Sequence, residues 1–172
     1  MCKPFIKNLT ASFILLTSSL LVCTSSSAEK MANNDQQIII KSQRQAGDLK
    51  NKIASYLDNV TITQGTLKIT ADLVQVYQAE NKAETYIAKG KPAIFEQLLA
   101  DGNKITLQAN EIIYEPKLHS IIISGNALLR QAGSEVRGSK ITYNTQTEQL
   151  EAESNTDDTV TTILKPKQEA IQ

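Results

Sequence analysis

The chain has 172 residues with 18 basic and 18 acidic side chains, two cysteines, one histidine and no tryptophan. Balanced charge without a basic patch excludes nucleic acid as a partner, and two cysteines this close to the N-terminus exclude a disulfide framework. That length suits one core-forming domain once a leader is set aside.

Residues 1–28 read as a cleaved signal peptide. Lys3 and Lys7 give a basic start, Phe13 to Val22 an apolar stretch, and Ser26-Ser27-Ala28 a small-x-small cleavage pattern. The apolar stretch is too short for a membrane span. Lipid attachment at Cys23 is the alternative, but Val22 is not the small residue that would precede it. Cleavage removes Cys2 and Cys23 and leaves 16 basic and 18 acidic residues, a formal charge of −2. The expected location is the periplasm, and the mature chain must hold together by burial and backbone pairing alone.

Ile38-Ile39-Ile40 opens the first strand, because β-branched residues favour extended structure. From there nearly every segment alternates apolar and polar residues. Val60, Ile62, Leu67, Ile69, Val74 and Val76 are interleaved with Thr61, Thr63, Lys68, Thr70 and Gln75, the pattern of a sheet with one apolar face. Turns are expected at Ala46-Gly47-Asp48, Gln64-Gly65-Thr66, Glu80-Asn81-Lys82, Asp101-Gly102-Asn103, Glu115-Pro116-Lys117, Ala132-Gly133-Ser134 and Asn144-Thr145-Gln146. One strand-turn-strand unit recurs without a gap, Asn59 to Val76 matching Asn126 to Tyr143, with a looser copy from Gly90 to Tyr114 between them. A hairpin that cannot bury its apolar face alone must stack on its neighbours. The expected fold is all-β across 29–164, a sandwich, barrel or roll, with 165–172 a polar, proline-interrupted tail.

Nothing nominates a catalytic site. His119 has no spaced partner, Asp72, Glu111 and Glu115 are scattered, and the glycines sit at hairpins rather than ahead of a helix. The reading is therefore a non-enzyme with no cofactor and no metal.

Val60-x-Ile62-x-Gln64-Gly65-Thr66-Leu67-Lys68-Ile69-x-Ala71-Asp72 resembles the signature of the OstA-like family. Gly90-Lys91-Pro92-Ala93-x-Phe95, Gly125-Asn126-Ala127 and Gly138-Ser139-Lys140-Ile141-Thr142-Tyr143 extend the likeness, which runs from about Gln37 to Pro166. The resemblance implies an OstA-like β-jelly roll of stacked antiparallel strands, V-shaped and open at both ends. It implies binding of the lipid A part of lipopolysaccharide and head-to-tail self-association. It also implies docking to an inner-membrane transport partner at one end and an outer-membrane translocon partner at the other, without catalysis.

The candidate lining of the groove is Ile38, Ile40, Val60, Ile62, Leu67, Ile69, Ala93, Phe95, Leu107, Tyr114, Leu129, Val136, Ile141 and Tyr143. Phe95 and Tyr114 stand out as large side chains at the family motifs. Inward aliphatics are also what any β-roll needs for its core. A structural β-solenoid scaffold without lipid cargo is therefore the rival, and a partner subunit's periplasmic domain or a secreted glycan-active enzyme are weaker ones. Ile38 to Ser42 and Val160 to Leu164 are the expected unpaired edges, each able to template pairing with another chain.

Overall fold

A computed structural model describes residues 36–78 and 84–165. The signal peptide at 1–28, the Glu80-Asn81-Lys82 turn and all of the 165–172 tail but Lys165 lie outside the described residues.

Ten strands form one antiparallel sheet among these residues. They are β1 (Ile39–Lys41), β2 (Arg44–Asp48), β3 (Ile53–Gln64), β4 (Leu67–Tyr77), β5 (Thr85–Leu98), β6 (Lys104–Glu115), β7 (Ser120–Gln131), β8 (Ser134–Asn144), β9 (Leu150–Glu153) and β10 (Thr161–Ile163). The order is β1-β3-β4-β5-β6-β7-β8-β10, with β2 also on β3 and β9 also on β8. Tight hairpins follow from residues that tolerate positive φ. Gly65 (φ 59°) serves β3–β4 and Gly133 (φ 84°) serves β7–β8, where Ala132 is drawn into the left-handed region beside it at φ 49°.

The expected turn at Ala46-Gly47-Asp48 is misplaced. Those residues are the end of β2, paired with Ser55, Ala54 and Ile53. The turn lies one step later because the Asp48 carboxylate accepts the backbone N–H groups of Lys50 and Asn51, an Asx-type turn that begins at Asp48.

Each long strand is interrupted near its middle. Register breaks occur between Leu57 and Val60, Thr70 and Leu73, Lys89 and Ala93, Gln108 and Glu111, and Ser124 and Ala127. They line up strand after strand into a continuous crease. Asp58, Asn59, Gly125 and Asn126 all have positive φ there, the conformation that short polar side chains and glycine reach most cheaply. Bulges bend strands, so the crease divides the sheet into two half-sheets. One carries β1 and β10 as its edges, the other β2 and β9.

The inward residues form rows across each half-sheet. Nearest the crease, on the half that carries β1 and β10, the row is mostly small: Ala71, Ala93, Ala109 and Ala127 beside Val60, all buried. Side chains of that size are what two diverging half-sheets can accommodate near the fold line. The middle rows are mostly large. Ile62, Ile69, Phe95, Leu107, Leu129 and Val136 lie in register on one half. Val74, Ala88, Ile112, Ile123 and Ile141 lie in register on the other. The outermost rows are mixed, and they are where the two halves meet.

Candidate functional site

All of the sequence-derived lining residues converge on one hydrophobic cluster. Val60, Ile62, Leu67, Ile69, Ala93, Phe95, Leu107, Tyr114, Leu129, Ile141 and Tyr143 are buried members of it, and Ile38, Ile40 and Val136 pack against it half-buried. The gapless repeat does keep inward positions in register: Val60 and Ala127, Ile62 and Leu129, and Val76 and Tyr143 all point into the cluster. Sequence reasoning omitted Val74, Ile112, Ile121 and Ile123 from the lining, although each is fully buried. For the three isoleucines the alternation is hidden within Ile112-Ile113 and Ile121-Ile122-Ile123, where outward positions are aliphatic too, whereas that of Val74 is plain in the sequence.

The outer row of the first half reads Gln64, Leu67, Gln97, Ile105, Gln131 across β3 to β7. That of the second half reads Val76, Tyr86, Tyr114, Ile121, Tyr143 across β4 to β8. These rims touch. Tyr114 Oη donates to Gln64 Oε1 at 2.6 Å, and Gln64 Nε2 donates to the Gln36 carbonyl at 3.1 Å. Tyr114 and Gln64 are only 0% and 2% exposed, so the interior is shut along a seam opposite the crease. Burial pushes the Tyr114 hydroxyl up to about 12. Burial, aided by the negative charge of Glu148, pushes Tyr143 up to about 12 as well. Tyr86 is raised by burial and by its hydrogen bond to Glu84 at 2.7 Å, and its ring centroid lies 5.9 Å from that of Tyr114.

The ion pairs lie at the surface. Arg130 and Arg137 pair with Glu135, and Lys89 with Glu111, all partly exposed. No group of three or more His, Cys, Asp or Glu able to hold a metal occurs among the described residues. His119 caps the short 3-10 turn Pro116–Leu118 in the left-handed region, its N–H donating to the Pro116 carbonyl at 3.1 Å. Gln78 donates its side-chain amide to Glu84 at 3.1 Å. Among the described residues β1 and β10 on one half-sheet, and β2 and β9 on the other, each pair on one side only, leaving a free edge at either end of both halves.

These features define a class: an antiparallel β-roll with a single apolar interior between two half-sheets and unpaired edges at both ends of its strand order. The chain belongs to the LptA/(LptD N-terminal domain) LPS transport protein family, whose pattern matches residues 39–149. It is 34% identical over 166 residues to the lipopolysaccharide export system protein LptA of Escherichia coli (strain K12), covering 95% of this chain and 90% of that one. It is 36% identical over 137 residues to LptA of Haemophilus influenzae, covering 78% and 80%. The crystal structure of LptH from Pseudomonas aeruginosa, described as the LptA-homologous periplasmic component of the lipopolysaccharide transport device, superposes with a TM-score of 0.72 at 25% identity. That match covers 78% of this chain and 99% of that one.

Proposed function

We propose that this protein is a periplasmic carrier that moves lipopolysaccharide from the inner to the outer membrane, holding the acyl chains of lipid A between its two half-sheets. Residues 1–28 act as the cleaved signal that delivers it there. Copies join head to tail through the free edges of β10 and β1, with an inner-membrane transport partner at one end of the bridge and an outer-membrane translocon partner at the other.

The observation that carries this reading is the single apolar cluster spanning every long strand, from Val60 on β3 to Tyr143 on β8. Each methylene withdrawn from water into such an interior is worth about 0.8 kcal/mol. The attraction is undirected, so a chain can slide. Because the lining is packed shut, loading requires the half-sheets to part along the seam that the Gln64–Tyr114 bond closes. The chain's own residues bind and shield; nothing here transforms the cargo, and the energy for transport comes from a partner.

The same tight packing is the observation that favours a lipid-free scaffold, since a closed core needs no cargo. Mass spectrometry of lipid co-purified with the folded protein from the periplasm separates the two. Lipid A species are expected in stoichiometric amounts. Their reproducible absence would leave the scaffold.

A further inference from the structure

Among the described residues, two buried side-chain polar atoms have no hydrogen-bond partner: Gln97 Oε1 and Tyr143 Oη. Their residues are 6% and 2% exposed. An unpaired buried polar group costs free energy, so such groups are rare and call for an explanation.

Their positions are related. The closed pair of the seam joins Gln64 on β3 to Tyr114 on β6, three strands further along the sheet. Gln97 lies on β5 in the same rim row as Gln64, because Leu67 on β4 pairs with both. Tyr143 lies on β8 in the same rim row as Tyr114, because Ile121 on β7 pairs with both. The step from β5 to β8 is again three strands. Repeating the three-strand offset that joins Gln64 to Tyr114 leads from the strand of Gln97 to the strand of Tyr143. The Gln64–Tyr114 position is bonded; Gln97 offers an acceptor and Tyr143 a hydroxyl, and both are unjoined.

We propose that Gln97 and Tyr143 form a polar subsite within the apolar interior that receives a hydroxyl carried on an acyl chain. The proposal rests on the reading that acyl chains occupy this interior. A hydroxyl donates one hydrogen bond and accepts others. It can therefore give its proton to Gln97 Oε1 and take that of Tyr143 Oη, satisfying both orphans at once. A plain methylene satisfies neither, and an ionised carboxylate has no proton for Gln97 Oε1. The subsite would give an otherwise undirected interior a preference for hydroxylated chains and a fixed depth at which they rest. Rejection of an analogue lacking the hydroxyl follows from leaving two buried groups unpaired.

The test uses the purified full chain and displacement of a fluorescent fatty-acid probe by myristate and by β-hydroxymyristate, two ligands of equal chain length. The hydroxylated acid is expected to bind about tenfold more tightly, the factor that corresponds to about 1.4 kcal/mol. Tyr143→Phe and Gln97→Leu should each bring the ratio of the two affinities towards one, with thermal melts confirming that both variants fold. Equal affinity in the parent, or a ratio that survives both substitutions, overturns the subsite while leaving acyl binding intact. Failure of either acid to displace the probe overturns the acyl-filled interior itself, and the subsite with it.

Discussion

Tyr114→Phe retains the ring and its packing but removes the hydroxyl that donates to Gln64 Oε1 at 2.6 Å. Gln64 is 2% exposed, so water cannot replace the lost donor. An orphaned buried acceptor costs about 1–3 kcal/mol. Gln64→Leu orphans the Tyr114 hydroxyl and also strips the Gln36 carbonyl of its donor, so it should fall towards the top of that range. The double variant sets Phe against Leu and leaves neither rim group unpaired. Its cost should therefore be smaller than the sum of the single costs by about 1–2 kcal/mol, a coupling typical of direct partners. Urea denaturation of the four proteins, followed by far-ultraviolet circular dichroism, measures this cycle. Additive costs within about 0.3 kcal/mol would refute the seam as a bonded closure.

Phe95→Ala removes a fully buried ring from the middle row and should cost about 3–5 kcal/mol in the same denaturation assay; a loss below about 1 kcal/mol would deny the packed interior. Ala109→Leu forces bulk into the crease row and should cost about 1–3 kcal/mol, whereas a neutral effect would mean the half-sheets are not close there. Tyr114 and Tyr143 have folded pKa values raised to about 12, so the stability they contribute is complete below the unfolded value near 10 and is lost as pH rises through about 12. Tyrosinate absorbance should show a late-titrating set coincident with loss of structure, and all five tyrosines ionising together near 10 in the folded state would contradict it. Thr162→Pro on the exposed edge strand β10 should lower self-association in light scattering over a concentration series; a parent that stays monomeric at the highest concentration would remove the edge-pairing model.

Much of this architecture is legible in the residues. Period-two alternation from Val60 to Val76 and from Ala127 to Tyr143 marks the inward face, and the gapless repeat states that this face is continuous. The crease also has a local signature, in Asp58-Asn59, Gly125-Asn126 and Asn110 within otherwise β-forming segments, but such residues also mark ordinary turns. Only strand pairing shows that they align across the sheet. Gln64 illustrates the other difficulty. It shares the parity of Val60 and Ile62 and so faces inward, yet next to Gly65 it reads as part of a turn. Its partner is 50 residues away on a strand that is not its neighbour. Sheet periodicity carries no information about which rim positions meet once a sheet folds back on itself, so the seam was invisible until the two halves were placed.

The crease sets how the protein can respond to what it holds. Interstrand pairing is already broken there in five successive pairings, so the angle between the halves can widen without rupturing the ladders on either side. For the carrier proposed above, that hinge would make the interior a vessel of adjustable capacity, its volume following the number and length of the chains it takes up.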